Sequence, residues 1–344
     1  MNEKIFLLND YSEGCCEEIL KKLNETNLLK TKGYGEDEFC KSASEKIKKA
    51  CNCPEAEIKF LVGGTQTNKV VLDVILKKYE GAISCESGHI AIHEAGAIEN
   101  SGHKVLVIKG KNGKLDYNDV ENYLKAFNSD ETKEHMVFPG AIYISHPTEF
   151  GTLYTKEELI NLYNVSKKYN LSLYVDGARL GYALACEKNE IDLPTLAQYS
   201  DVFYIGGTKV GSLFGEAVVF TKKNIPKHII TLIKMHGALL AKGRILGIQF
   251  DTLFTDNLYQ KLGKNAIECA MILKNEMIKK GYKIYIDSYT NLQYFILNNK
   301  KIEELENNAY FYIIEKYDEN NSIIRLVTSW ATKKEDILKF IELL

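Results

Sequence analysis

The chain has 344 residues, 45% of them hydrophobic and 26% charged, with 44 basic side chains against 46 acidic ones and a formal charge of −2. That balance, with no basic patch interleaved with aromatics, argues against nucleic acid or an anionic membrane as the main partner. The opening apolar run, Ile5 to Leu8, is too short for a secretion signal and no run approaches a membrane span, so the expectation is a cytoplasmic protein.

The length suits one large domain and a smaller one. Residues 15–29 and 36–51 read as helices, and Ile58 to Val62 as a short strand. Strand and helix patterns then alternate: a helix over Gln66–Tyr79, a strand over Ala82–Cys85, a helix over His89–Glu99, a strand over Val105–Ile108 and a helix over Asp116–Phe127. Val137–Ser145 reads as a strand, Lys156–Tyr169 as a helix, and Leu171–Val175, Val202–Ile205 and Ala217–Phe220 as strands. Short apolar runs separated by amphipathic helices predict βαβ units and a mostly parallel central sheet covered by helices. From about residue 226 the pattern changes to a helical stretch with few breaks, running to about Lys280. Strands near Leu292–Leu297, Ala309–Ile314 and Ile323–Thr328 and a last helix after Ala331 follow, which reads as a smaller C-terminal α+β domain. The expected division is an N-terminal segment (1–35) packing on the small domain or a partner subunit, a large α/β domain (36–225), and a long helix with the small domain (226–344).

Eight cysteines are present. Cys15 and Cys16 are adjacent and Cys51 and Cys53 are separated by Asn52; neither spacing is that of a zinc knuckle or a redox Cys-x-x-Cys, so reduced thiols are expected. His89 and His93 share a helical face, but Glu94 follows them rather than standing between them, and no third ligand is obvious, so no metal is expected.

Chemistry gathers at the strand ends, where open α/β sheets carry their sites. Val175-Asp176-Gly177-Ala178-Arg179 ends one strand, and a second runs into Gly206-Gly207-Thr208-Lys209. A buried carboxylate can hold a heterocyclic nitrogen protonated, and a lysine amine condenses with an aldehyde; together they are the two groups pyridoxal phosphate needs to act as an electron sink. Upstream, Phe60-Leu61-Val62-Gly63-Gly64-Thr65 is a strand, a glycine turn and a helix start, a geometry suited to a phosphate.

In this set of motifs the chain resembles the threonine aldolase group of the β-eliminating lyases, fold-type I pyridoxal-phosphate enzymes. The resemblance runs through Gly33-Tyr34-Gly35-Glu36-Asp37, Gly63-Gly64-Thr65-Gln66-Thr67-Asn68, His89 with Glu94-Ala95-Gly96, and Pro147-Thr148-Glu149-Phe150-Gly151-Thr152. It continues through Val175 to Leu180, Gly206 to Lys209, and Arg325-Leu326-Val327-Thr328. It implies that Lys209 carries the cofactor, that Asp176 pairs with the ring nitrogen, and that His89 stacks on the ring and helps orient the β-hydroxyl. Arg179 is then expected near the phenolic oxygen and the substrate carboxylate, with Arg325 as the second carboxylate fork. Some family members carry a histidine where this chain has Glu149, so a carboxylate base for the β-hydroxyl depends on burial raising its pKa. Asn9 stands beside Asp10 where many members have Ser-Asp, an expected substrate contact. Tyr34 and Lys242 are expected to reach a neighbouring subunit's cofactor or substrate in a homodimer or homotetramer with shared active sites. The implied reaction is retro-aldol cleavage of a β-hydroxy-α-amino acid, L-threonine or L-allo-threonine, to glycine and an aldehyde, with a bulkier phenylserine-like side chain left open. Competing readings are β-elimination or amino transfer on the same fold, a metal hydrolase built on His89 and His93, and a non-catalytic binding protein.

Overall fold

A computed structural model describes residues 4–344. The chain enters on a two-residue strand, β1 (Ile5–Phe6). The large sheet follows as β2 (Glu57–Leu61), β3 (Glu80–Cys85), β4 (Val105–Ile108), β5 (Phe138–Ser145), β6 (Ser172–Asp176), β7 (Val202–Gly206) and β8 (Glu216–Phe220). Their spatial order is β2-β8-β7-β6-β5-β3-β4, all parallel except β8, which runs antiparallel to both its neighbours.

β7 and β8 are buried along their whole length, as expected of strands covered on both faces. Residues two apart share a face: Ile142, Ile144, Leu173, Val175, Phe203 and Ile205 pack on one side. Tyr143, Tyr174 and Tyr204 pack on the other. Asp176 follows Tyr174 by two, so its carboxyl and the three tyrosine rings point to the same side of the sheet.

The small sheet is β9 (Lys283–Ile286), β10 (Leu292–Asn298), β12 (Tyr312–Lys316) and β13 (Asn321–Val327), antiparallel in the order β12-β13-β10-β9, while β11 (Ala309–Tyr310) pairs with β1. Its core of Phe295, Leu297, Ile324 and Leu326 packs against Cys269, Leu273 and Met277 of one helix and Ile337 and Phe340 of another. The N-terminal segment is tied to this sheet: Leu7 donates its N–H to Tyr310 O (2.8 Å) and accepts that of Val327 (2.9 Å). Among the described residues no helix is long and apolar enough to cross a membrane.

Three expected elements differ. The helix expected over His89–Glu99 is two short ones, His89–Ile92 and Ala97–Asn100, because Ala95 (φ 49°) and Gly96 (φ 71°) adopt the left-handed conformation. The break turns Glu94 back toward His89. The long helical stretch after residue 226 is three helices, Ile229–Met235, Arg244–Leu253 and Leu258–Lys279, interrupted where Gly237, Asp256 and Asn257 take positive φ. The strand expected over Ala309–Ile314 is divided into β11 and β12, which pair with different partners. The sequence pattern gave no sign of β9 or of the helix Asn299–Glu306.

Candidate active site

β6 ends at Asp176 and β7 at Gly206, and the two strand ends approach so closely that a Cβ on Gly177 would lie 1.9 Å from Tyr204 O. No side chain fits there, so glycine is required for the lysine loop to lie over the aspartate. Asp176 is 4% exposed and each of its oxygens accepts two hydrogen bonds. Oδ1 accepts from Tyr204 Oη (2.6 Å) and the Ala178 N–H (2.9 Å). Oδ2 accepts from Tyr143 Oη (2.7 Å) and Asn68 Nδ2 (2.9 Å). Burial alone would raise the pKa of this carboxyl, but the charge of His89 and these donors outweigh it and hold it below the usual aspartate value. The site therefore contains a fixed, buried anion.

Asn68 is fully buried and spends its whole amide here: Oδ1 accepts from Tyr174 Oη (2.7 Å), and Nδ2 donates to both Asp176 and Glu94 Oε1 (2.6 Å). The same Glu94 oxygen pairs with His89 Nδ1 at 2.7 Å. Burial would lower the His89 pKa; the Glu94 bond and the negative charge of Asp176 raise it instead. Burial raises the Glu94 pKa as well. Glu149 is anchored by one oxygen only, Oε1 accepting the His89 N–H (2.9 Å) and Ser145 Oγ (2.7 Å). Its Oε2 is buried without a partner, and burial pushes its pKa up.

Arg179 is already engaged. Its Nε and Nη2 grip Asp10 Oδ2 and Oδ1 at 2.7 and 3.1 Å, and Asn291 Nδ2 donates to Asp10 Oδ2 at 3.0 Å. Burial would raise Asp10, but Arg179 and then Lys209 hold it below its ordinary value. Asp10→Ala would strand a buried guanidinium, and is expected to destabilise the fold by about 3–5 kcal/mol in urea unfolding; a loss below about 1 kcal/mol would show the pair to be incidental. Because the folded-state pKa of Asp10 is depressed, the stability it contributes is present above its unfolded value of about 3.9 and is lost as pH falls through the lower folded value.

Lys209 lies in the turn between β7 and β8, its carbonyl accepting a hydrogen bond from Tyr182 Oη. Burial, and next the Arg179 charge, push its amine pKa down, toward a free amine. Gly64, His89, Ser145, Glu149, Asp176 and Lys209 line one enclosed pocket. It opens into a cleft of about 580 Å³ walled by Tyr11, His93, Phe150, Tyr294, Tyr312 and Arg325. Arg325 lies over the Tyr312 ring at 4.8 Å, and its Nε is buried without a partner. At the other end of the pocket the helix Gly64–Ile75 begins; its first intrahelical bond is Thr67 N–H to Gly63 O at 2.9 Å, which leaves the amides of Gly64, Thr65 and Gln66 free for an anion.

These residues fit the expected cofactor: an unpartnered guanidinium donor and an unpartnered carboxylate oxygen belong to side chains that line the space, with an amine, a fixed anion and a helix start around it. Among the described residues no group of three His, Cys, Asp or Glu side chains is placed to hold a metal. Lys209, Asp176, His89, Glu149, Arg179 and Gly64 meet at the pocket, and Arg325 in the adjoining cleft. Gly63 and Thr65 flank Gly64 at the helix start. Asn9 is turned onto its own segment, its Oδ1 accepting from Tyr11 N–H and Ser12 Oγ, while Asp10 and Tyr11 beside it reach the site. Tyr34 and Lys242 lie outside this pocket, in neighbouring loops joined by the Tyr34 N–H to Ala241 O bond at 3.1 Å. The motif reading had no role for Asn68, Tyr143, Tyr204, Ser145 or Asp10, although Asn68 stood inside a quoted motif and Asp10 beside Asn9; a tyrosine two positions before the end of each of β5, β6 and β7 was the available signal for the tyrosine face.

Comparison with known proteins agrees with this geometry. The sequence family described as Beta-eliminating lyase matches residues 7–300. The low specificity L-threonine aldolase of a Pseudomonas sp. is 26% identical over 336 residues, covering 96% of this chain and 93% of that protein. A Leishmania major threonine aldolase structure superposes with a TM-score of 0.95 at 40% identity over 98% of each chain. Aspartate aminotransferase from Thermus thermophilus, at 14% identity and TM-score 0.70 over 99% of this chain and 91% of that one, shares the fold.

Proposed function

The chain belongs to the beta-eliminating lyase family, and from that premise we propose that it is a pyridoxal-phosphate-dependent aldolase cleaving β-hydroxy-α-amino acids, L-threonine or L-allo-threonine, to glycine and an aldehyde. The observation that carries this reading is one pocket lined by Gly64, Asp176 and Lys209 and opening toward Arg325. Lys209 would hold the cofactor covalently, Asp176 its ring nitrogen, His89 its face, and the helix start at Gly63-Gly64-Thr65 its phosphate. When bound, pyridoxal phosphate supplies an electron sink for the pair released as the Cα–Cβ bond breaks.

The protein groups do the rest. Arg325 holds the substrate carboxylate through its free Nε, and the Tyr312 ring fixes the guanidinium plane. Arg179, locked by Asp10, presents its remaining nitrogen to the same region. Glu149 Oε2 takes the β-hydroxyl proton, while the bonds on Oε1 keep that oxygen aimed. A base whose pKa is raised by burial works only above that value, so the rate should fall on the acidic side as Glu149 protonates. Lys209, once its amine has taken up a proton as ammonium, would give that proton to Cα and be left as the free amine that its lowered pKa favours.

Purified protein incubated with L-threonine or L-allo-threonine should release glycine and acetaldehyde in equal amounts; release of ammonia and an oxo acid without glycine would replace this reading with β-elimination. Arg325→Ala should weaken substrate binding about 10- to 150-fold, the worth of one charged hydrogen-bonding partner, with the cofactor's visible band retained. An unchanged KM would remove Arg325 from the carboxylate site.

The assembly proposed is a homodimer or homotetramer with shared sites. Tyr34, 48% exposed, and the surface residue Lys242 lie in neighbouring loops outside the chain's own pocket, and Leu28, Leu29 and Met235 are exposed as well. Light scattering at assay concentration should show no monomer, and a fully active monomer would contradict the sharing. The eight cysteines, all buried and unpaired, suit a reducing compartment, and we place the enzyme in the cytoplasm.

A further inference from the structure

Glu94 is a buried carboxyl whose two hydrogen bonds both lead to the site. It is 3% exposed; its Oε1 pairs with His89 Nδ1 at 2.7 Å and accepts from Asn68 Nδ2 at 2.6 Å, while its Oε2 is buried without a partner. The backbone bends to bring it there. Ala95, the next residue, is left-handed at φ 49°, which a residue with a Cβ adopts only under constraint. A buried carboxyl with an unsatisfied oxygen costs stability that an apolar side chain of similar size would not. The arrangement calls for a use.

The neighbours decide which nitrogen of His89 carries its proton. Tyr174 Oη donates to Asn68 Oδ1 at 2.7 Å, so the Asn68 amide turns its NH₂ toward the carboxylates of Asp176 and Glu94. Glu94 Oε1 is thus already an acceptor, and as a carboxylate oxygen it accepts from Nδ1 as well. Burial raises the Glu94 pKa, and the bonds from His89 and Asn68 oppose that rise. The first proton of the imidazole therefore sits on Nδ1. Nε2, on the opposite edge of the ring, has no hydrogen bond among the described residues, and the ring lines both the pocket and the cleft, as Glu149 does.

The charged groups around the ring come from four segments. Burial disfavours a charged His89; the Glu94 bond and the charges of Asp176 and Glu94 favour it, and Lys209 opposes it. His93, its ring 5.8 Å away, opposes it too, and Glu149 holds the His89 N–H at 2.9 Å.

We propose that Glu94 is a positioning residue for the cleavage: it fixes the His89 imidazole with Nδ1 as donor and leaves Nε2 to hold the substrate β-hydroxyl beside Glu149. This rests on the aldolase reading, in which His89 lies at the reacting face.

Two measurements test it. Nitrogen-15 NMR of imidazole-labelled protein, purified with its cofactor, should show neutral His89 with its proton on Nδ1 and Nε2 bare, the signals being identified by their loss in His89→Asn. In Glu94→Gln the pH midpoint of His89 should fall by about one unit, a tenfold loss of proton affinity, because the carboxylate charge is gone. Glu94→Asp, which keeps the charge at shorter reach, should recover part of that shift. In the second measurement, glycine release, Glu94→Gln should lower kcat by up to about 100-fold with KM changed far less and the visible cofactor band retained. A bare Nδ1 on wild-type His89, or a midpoint and kcat unchanged in Glu94→Gln, would overturn the proposal. Should Glu94→Gln fail to fold, the wild-type spectrum decides alone. If the wild type releases no glycine from L-threonine or L-allo-threonine while Nδ1 carries the proton, the aldolase reading falls and the role on the hydroxyl falls with it.

Discussion

Replacing Lys209 with alanine is expected to abolish turnover while leaving the fold intact. The side chain lines both the pocket and the cleft, and the turn that carries it is held by other groups, Tyr182 on its carbonyl and Glu216 on Gly207 and Thr208. Removing the amine therefore deletes a reactive group without releasing the turn, and it also relieves the cost of burying a cation. Loss of proton transfer alone would lower kcat by about 10²- to 10⁴-fold, and loss of covalent attachment adds to that. Glycine formation and a melting curve on the same sample check it. A kcat within about tenfold of wild type would mean that the lysine is not in the reaction.

Asp176→Asn should collapse turnover by a different route. Four donors converge on the two oxygens of Asp176: Asn68 Nδ2, Tyr143 Oη, Tyr204 Oη and the Ala178 N–H. An asparagine there offers one oxygen and one NH₂ group, so at least one buried donor faces another donor and goes unsatisfied, at about 1–3 kcal/mol. The fixed negative charge is lost as well, and charge aimed at a reacting centre is worth about 10²–10³ in kcat. The expected result is kcat down by about that factor, KM for the amino acid changed far less, and a lower melting temperature. Near-normal kcat would mean that the charge of Asp176 is not used. A large rise in KM with kcat unchanged would instead place Asp176 in substrate binding.

Much of the large sheet and of the pocket was legible because its signals are local. Apolar runs such as Val202–Ile205 declare buried strands, Thr155 and Glu158 form a capping box at the start of the helix Lys156–Lys168, and the glycines beside Asp176 and Lys209 mark close backbone approach. Legibility stopped where residues depend on distant partners. Asp10 meets Arg179 across 169 positions and Asn68 meets Asp176 across 108, and nothing nearby in sequence marks either pairing. The tyrosines read as core, and they are core; their hydroxyls become functional only because neighbouring strands bring them onto one face. The helix breaks at Ala95-Gly96 and Asp256-Asn257 were missed for a related reason, since positive φ at non-glycine residues is imposed by what the flanking segments must reach.

The account stands on Lys209 being the lysine that takes the cofactor in a pocket floored by Asp176. Protein purified without added cofactor should show a visible absorption band, and borohydride reduction followed by peptide mapping should find the cofactor on one peptide, the one containing Lys209. A cofactor fixed to any other lysine, Lys242 included, or no cofactor fixed at all, would contradict it.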